Sequence, residues 1–299
     1  MNLGNEYMSL KKLVDDNIVS FIPEIGDEAG VLYDSIVYSL TAGGKRLRSV
    51  LMLSFYKMAE EKADMDFAMP FAAAIEFMQT CSLIHDDLPS MDNDDYRRGR
   101  LTNHKVFGDA IALLAGDALL SATFEVMLKD TDECKDPLLK ARKVKAALEI
   151  AKGTGTSGMI QGQVADVINE SKSCDFKTLR FIDENKTGAF IKSAVMAGCY
   201  LGNAKDELCK AASVYGECIG EAFQIVDDIL DITGSLEELG KNTGVDAQLG
   251  KSTYPAILGL EESKKRAEEL LQSAESAIAP FDEYGTALDI INFLKSEIQ

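Results

Sequence analysis

The sequence predicts an all-helical fold, and three observations carry that reading. Apolar residues recur at spacings of three and four along nearly the whole chain, which gathers them on one face of a helix. The alternation expected of a half-buried strand is nearly absent. The chain of 299 residues is 46% hydrophobic with six prolines, enough apolar surface and few enough breakers for one large core or two modest ones.

Taken in order, the periodicity predicts helices over residues 5–22, 28–40, 46–60, 67–88, 106–129, 138–170, 176–201, 205–234, 252–275 and 283–297. The turn and cap signals are Pro23 with Gly26, Gly43 with Gly44, Pro70, Pro89, Asp136 with Pro137, Gly202 with Asn203, the stretch from Gly234 to Gly250, and Pro280. The longer helices are rich in Ala, Gly and other small residues, as interior helices of a bundle are. No low-complexity linker interrupts the chain, so residues 1–299 are expected to form a single domain.

A formal charge of -18 argues against nucleic acid or an anionic membrane surface as the main partner, since both would repel the chain. An anionic substrate would need metal ions or a local basic patch. Cys81, Cys134, Cys174, Cys199, Cys209 and Cys218 form no CxxC pair and lie mostly in apolar helical runs, which suggests reduced thiols and a cytoplasmic protein. The N-terminus lacks a basic segment followed by an apolar one, and no uncharged apolar run reaches about 18 residues. Export and membrane insertion are therefore not expected.

The chemistry concentrates where the fourth predicted helix ends. Asp86 and Asp87 are followed by the Pro89 turn, by Asp92, Asp94 and Asp95, and then by Arg97, Arg98 and Arg100. So many carboxylates at the mouth of an apolar helix repel one another unless water or cations neutralise them. A second cluster, Asp227, Asp228 and Asp231, also follows an apolar turn, and the spacing of four puts Asp227 and Asp231 on one helix face. Its flanking Phe223, Ile225, Val226, Ile229 and Leu230 leave little room for a merely solvated acidic face. Magnesium takes oxygen ligands and usually binds through one or two carboxylates plus substrate phosphates, so two such clusters across one cavity suit a diphosphate bridged by several ions. A calcium loop is the weaker reading, because the stretch from Asp92 lacks the required glycine and glutamate.

The basic counterpart is Gly43-Gly44-Lys45-Arg46-Leu47-Arg48, where a glycine pair opens a helix and two or three cations can converge on an anion. Lys186 with Thr187, Lys241 and Lys251 add further polar groups. Against 49 acidic residues and only 31 Lys plus Arg, such grouping favours a diphosphate site. Two decoys fail. The stretch Gly244 to Ser252 has one residue too many for a phosphate-binding P-loop and no preceding strand. His85-Asp86 cannot complete a histidine-rich metal sphere when His104 is the only other histidine. With no readable Ser-His-Asp or Cys-His nucleophile, the residues point to metal-assisted departure of a diphosphate in a dry apolar cavity.

These residues closely resemble the trans-isoprenyl diphosphate synthases, the family of farnesyl and geranylgeranyl diphosphate synthases. Asp86-Asp87-Leu-Pro-Ser-Met-Asp92 with Arg97-Arg98-Gly99 resembles the family's first aspartate-rich motif in its bacterial and plant form, and Phe223-Gln224 with Asp227-Asp228-Ile-Leu-Asp231 resembles the second. The Gly43 to Arg48 block, Leu114-Ala-Gly-Asp117, Gly162-Gln163, Lys186-Thr187 and Gly250-Lys251-Ser-Thr-Tyr-Pro255 match in order, so the resemblance spans nearly the whole chain.

It implies an isoprenoid-synthase helical bundle around a central cavity, usually a homodimer, that joins isopentenyl diphosphate head to tail to dimethylallyl, geranyl or farnesyl diphosphate. It further implies Mg2+ held on the allylic diphosphate by Asp86, Asp87, Asp92, Asp227 and Asp231, with Arg97, Lys186, Thr187, Gln224, Lys241 and Lys251 as polar partners. Asp228 joins Asp86, Asp87, Asp92, Lys186 and Asp227 in the expected catalytic set. Lys45, Arg48 and Arg98 would bind isopentenyl diphosphate. Where the family commonly has a histidine for that substrate, this chain has Gln79, seven residues before Asp86 and on the same helix face; weaker binding is expected, not loss of function. Bulky aromatics four or five residues before the first Asp stop the growing chain early in this family. Here those positions are Ser82 and Cys81, both small, which leans the expected product towards twenty carbons over fifteen, with Phe77, Met78 or Phe124 able to close the cavity one layer deeper. Two alternatives stay open: a terpene cyclase or head-to-head synthase on the same fold, and a non-catalytic subunit of a heteromeric synthase.

Overall fold

Short polar side chains fix where several helices begin. Asp64 accepts a hydrogen bond from the Asp66 N–H at 3.1 Å, Asp136 from Leu138 and Leu139 at 2.7 and 3.1 Å, and Asp175 from Thr178 at 2.8 Å, each satisfying donors that a helix start leaves unpaired. The computed structural model describes residues 3–170, 172, 174–233 and 252–298.

The chain runs through α1 (Asn5–Asn17), two 3-10 turns (Ile18–Phe21 and Asp27–Ala29), α2 (Gly30–Leu40), α3 (Leu47–Ala59) and α4 (Met65–Asp86). A minimal hairpin, β1 (Tyr96–Arg97) and β2 (Arg100–Leu101), leads to α5 (Asn103–Phe107) and α6 (Asp109–Glu133). Then follow α7 (Pro137–Thr154), α8 (Met159–Asn169), α9 (Phe176–Asp183), a π turn (Glu184–Gly188), α10 (Ala189–Leu201) and α11 (Asp206–Thr233). After the undescribed segment come α12 (Tyr254–Leu258), α13 (Leu260–Ile278) and α14 (Thr286–Glu297).

Two helices form the centre. In α4 nearly every side chain from Ala68 to Cys81 is buried, and in α10 nearly every one from Phe190 to Leu201. Helix α4 packs on α3 and α6, and α10 on α3, α7 and α11. Buried side chains from Tyr7 in α1 to Ile298 beyond α14 belong to one hydrophobic cluster. Helices α4 and α6 are long and apolar enough to cross a membrane by length and composition, but 78% of the α4 window is buried inside the fold against 44% of α6. The apolarity of α4 is thus accounted for by the core. That of α6 is only half accounted for, and Leu113, Leu114, Leu120 and Leu128 face outward.

The all-helical expectation holds among the described residues apart from the hairpin. Its Arg98 and Gly99 turn with positive φ at both positions, the geometry of a tight hairpin, which a search for strand alternation cannot see in two-residue strands. The predicted helix 138–170 is two helices parted at Gly155 and Gly158, and 252–275 is α12 and α13 parted at Gly259. The turn signal at Pro70 is corrected: Pro70 lies inside α4, near enough to its start that the helix continues past it. The helical run 176–201 holds a π turn at Lys186 and Thr187 that periodicity did not show.

Candidate active site

Helix α4 delivers the first acidic cluster at its C-terminal end. The chain then folds back, with the Asp92 N–H donating to the Asp86 carbonyl at 2.9 Å and those of Met91 and Asn93 to the Leu88 carbonyl, so the Pro89 turn returns Asp92 towards Asp86. Asp87 is 3% exposed and accepts from Arg97 Nε at 2.6 Å; Arg97 also reaches Asp94 at 3.4 Å. Even with that partner, burial pushes the Asp87 carboxyl up to about 6, and the charges of Asp94 and Asp86 add to the rise. Asp86 is raised too, by burial above all; Lys186 and Arg97 oppose the shift, and Asp92 and Asp166 add to it.

Helix α8 and the π turn carry the site onward. Gln163 Nε2 donates to Asp86 Oδ1 at 3.0 Å, and Asp166, one turn on, pairs with Lys186 Nζ at 2.7 Å. A Cβ at Gly162 would lie 2.1 Å from the Lys186 backbone nitrogen, so only glycine lets α8 press this closely on the turn. Thr187 donates to Gln224 Oε1 at 3.2 Å, which joins the turn to α11. On α11 Asp227 is exposed, Asp231 is 4% exposed, and Asp228 Oδ2 accepts the Tyr254 N–H at 2.8 Å, tying α12 to the second cluster. Asp183, at the start of the π turn, is buried with its Oδ2 unpartnered among the described residues. Burial and then the charges of Asp228, Asp166 and Glu221 hold it well above the ordinary carboxylate range.

Three bonded pairs, Gln163–Asp86, Lys186–Asp166 and Thr187–Gln224, thus lie in succession from the first acidic cluster to α11, the helix that carries the second. Asp86, Asp87 and Asp183, whose carboxyls are raised by burial and by neighbouring acids, are hard oxygen donors short of positive charge. Among the described residues no three His, Cys, Asp or Glu side chains form a ready-made cage. Carboxylate oxygens are the donors Mg2+ takes, usually one or two of them, with water and phosphate oxygens completing its octahedron. Lys241 and Lys251 lie outside the described residues.

The basic set sits at the start of α3. Lys45 is exposed, its Nζ 4.8 Å from the Phe293 ring centroid and 5.6 Å from that of Phe223. Arg48 stands over Phe190 at 5.1 Å with a buried Nε that has no hydrogen-bond partner among the described residues. Burial pushes Arg48 down to about 10, Glu76 opposing and Arg98 adding to the shift. Arg98 donates to the Gly43 carbonyl, and Gln79 is half-buried on α4. Of the two or three cations of the block expected to converge on an anion, Arg46 is not one: it is 5% exposed and pairs with Glu76 in the core.

Behind the first cluster, Cys81 is 4% exposed, its sulfur 3.9 Å from His85 Nδ1, and burial pushes its thiol up to about 12. Ser82 is half-buried and donates to the Gln79 carbonyl at 2.9 Å. Phe77 and Met78 are buried one turn deeper and Phe124 is half-buried; Phe77 also lines a cavity of about 190 Å³ between α4, α6 and the Pro23 turn.

Asp166 and Asp183 had no assigned part in the sequence reading, and Gln163 appeared there only inside a motif. The spacing of Gln163 and Asp166 on one helix face was the available signal; for Asp183 there was none.

The polyprenyl synthetase family matches residues 29–285 of this chain. The chain belongs to that family. It is 44% identical over 282 residues to a geranylgeranyl diphosphate synthase of Cyanophora paradoxa, covering 94% of this chain and 91% of that one. It is 43% identical over 282 residues to a dimethylallyltranstransferase of Fischerella ambigua, covering 94% and 78%. In three dimensions it superimposes with a TM-score of 0.82 on the apo crystal structure of an FPP/GFPP synthase from Zymomonas mobilis, at 30% identity and covering 98% and 97% of the two chains. The polyprenyl synthetase chain described here therefore has the isoprenoid-synthase helical fold that its motifs implied.

Proposed function

We propose that the protein is a short-chain prenyl diphosphate synthase, a transferase that joins isopentenyl diphosphate head to tail to dimethylallyl, geranyl and farnesyl diphosphates and stops at geranylgeranyl diphosphate. One observation supports the reading: the chain carries two acidic clusters, at Asp86 to Asp92 and at Asp227 to Asp231, and apart from them a cationic set at Lys45, Arg48 and Arg98, which suits two diphosphates. A cyclase working on one substrate has no use for the second set, and a non-catalytic subunit has no use for either.

In this reading Asp86, Asp87, Asp92, Asp227 and Asp231 hold the allylic diphosphate through Mg2+, with Arg97, Lys186, Thr187 and Gln224 on its remaining oxygens. Lys241 and Lys251 are assigned the same task from the sequence. Mg2+, when held by these carboxylates, would stabilise the negative charge that develops on the leaving diphosphate. The C1–O bond breaks, its electron pair leaves with the diphosphate, and apolar walls keep water from the allylic cation. Lys45, Arg48, Arg98 and Gln79 hold isopentenyl diphosphate so that its double bond meets C1. The π pair forms the new C–C bond, and the resulting cation passes a proton to the departed diphosphate, restoring a double bond. His85 is engaged at the Leu113 carbonyl at 3.2 Å and His104 is buried, so a base on the substrate suits this chain. Asp228, with one oxygen on Tyr254 N–H, serves by holding α12 to α11.

Small residues at Cys81 and Ser82, and a relative named for geranylgeranyl diphosphate, favour twenty carbons. The outward apolar residues of α6 favour a homodimer, and the acidic chain with six cysteines favours the cytoplasm. Purified protein incubated with Mg2+, isopentenyl diphosphate and dimethylallyl diphosphate should yield geranylgeranyl diphosphate by product sizing. Turnover that survives chelation with EDTA, or no elongation at all, would refute the proposal.

A further inference from the structure

The loop that opens α3 is held in a conformation its side chains do not favour. Gly43, Gly44 and Arg46 have φ of 82°, 117° and 55°. Glycine takes such angles freely, whereas a left-handed Arg46 persists only if contacts elsewhere hold it. Those contacts lie in the core. Arg46 Nε donates to Asp15 Oδ1 at 2.9 Å, Nη1 to Glu76 Oε2 at 2.9 Å, and Nη2 to the Leu40 carbonyl at 2.6 Å. Glu76 is 3% exposed in the middle of α4, and its other oxygen accepts the Ser49 hydroxyl at 2.6 Å. One guanidinium thus ties α1, α2 and α4 together at the residue before α3.

The neighbouring cations are not hydrogen-bonded to Asp15 or Glu76 among the described residues. Lys45 lies outside the core, with its carbonyl accepting from the Tyr7 hydroxyl at 2.6 Å. Arg48 keeps a buried Nε with no protein acceptor among the described residues. Arg98 rests against Gly44, where a Cβ would lie 2.6 Å from its guanidinium carbon, and donates to the Gly43 carbonyl. Glu76 is also the acidic charge that most offsets the crowding of cations here, opposing Arg98 at Arg48 and opposing Arg46 and Arg97 at Arg98.

We propose that Arg46 and Glu76 are positioning residues for isopentenyl diphosphate: their buried pair locks the left-handed turn and presets Lys45, Arg48 and Arg98 around the diphosphate. This rests on the prenyl-transfer reading above.

The test uses Arg46→Lys, which keeps the charge but loses the three-way fork, with Glu76→Gln and Ser49→Ala, in the full-length protein. For each, KM for isopentenyl diphosphate and KM for the allylic diphosphate are measured with the other substrate saturating, beside circular dichroism. KM for isopentenyl diphosphate should rise about tenfold in Arg46→Lys and Glu76→Gln and about threefold in Ser49→Ala, while the allylic KM stays within about twofold. Arg46→Gly relieves the backbone strain without restoring the contacts and should show the same rise. A folded Arg46→Lys with unchanged KM for isopentenyl diphosphate, or both KM values rising together, overturns the proposal. If Glu76→Gln does not fold, Arg46→Lys and Ser49→Ala decide. Wild-type protein that consumes no isopentenyl diphosphate would instead refute the functional reading.

Discussion

Asp87 shows how burial turns an ordinary carboxylate into a pH-sensitive one. Its carboxyl titrates near 6 because desolvation outweighs the Arg97 pair. If Asp87 holds Mg2+ as proposed, protons compete with the metal for it: between pH 7.5 and 5.5 the ionised fraction falls about fourfold, and the apparent KM for Mg2+ should rise by at least that factor. Magnesium titrations of turnover at the two pH values check this. At Cys81, a side chain 4% exposed one turn above Phe77, replacement by tyrosine puts a ring where the product tail is expected to pass. Cys81→Tyr should shorten the product to fifteen carbons. Unchanged length by chromatographic sizing would put the floor at the Phe77 and Met78 layer.

Among the elements, the contact of α8 with the π turn decides whether Lys186 can serve. Gly162 is the point of closest approach, 2.1 Å from a built Cβ to the Lys186 nitrogen. Gly162→Ala must push the turn off α8, stretching the 2.7 Å Lys186–Asp166 pair and the 3.2 Å Thr187–Gln224 bond. Turnover should fall at least about tenfold, while overpacking costs about 1–3 kcal/mol of stability. Kinetics and thermal melts separate the two effects, and a fully active variant would show the turn to be dispensable. The helix ends illustrate what sequence makes legible: Asp136 and Pro137 announced α7 because cap chemistry is local. The π turn was not legible, because one extra residue per turn leaves no mark in composition.

For the molecule as a whole, net charge and buried acids act in the same direction. Asp86, Asp87 and Asp183 all have raised carboxyls in the folded state, so between about pH 4 and 7 the folded chain binds more protons than the unfolded one. Stability of the metal-free protein must then fall as pH rises through that window. Asp15 and Asp175 are shifted down, and their contribution changes only at lower pH. From Asp87 alone the loss between pH 5 and 7 is about 1 kcal/mol, and repulsion within a chain of net charge -18 adds to it. Thermal melts in EDTA should come out a few degrees higher at pH 5 than at pH 7, and adding Mg2+ should narrow the gap. A higher melting point at pH 7 without metal would contradict the assignment.

The sequence by itself determined the helical class, most helix starts, and the acidic and basic motifs, because periodicity, caps and short motifs are written in neighbouring residues. Asp86, Asp87, Asp92 and the Asp227 to Asp231 group stand out as candidates for that reason, as do Lys45 and Arg48. Tertiary structure decided what those residues meet. It paired Asp86 with Gln163, Asp166 with Lys186 and Thr187 with Gln224, brought the buried Asp183 beside them, and turned Arg46 into a buried pair with Glu76. No local rule distinguishes Arg46 from Arg48. Only the carboxylates that α1 and α4 bring beneath the loop make one an anchor, bonded to Asp15 and Glu76, while the Nε of the other has no hydrogen-bond partner among the described residues.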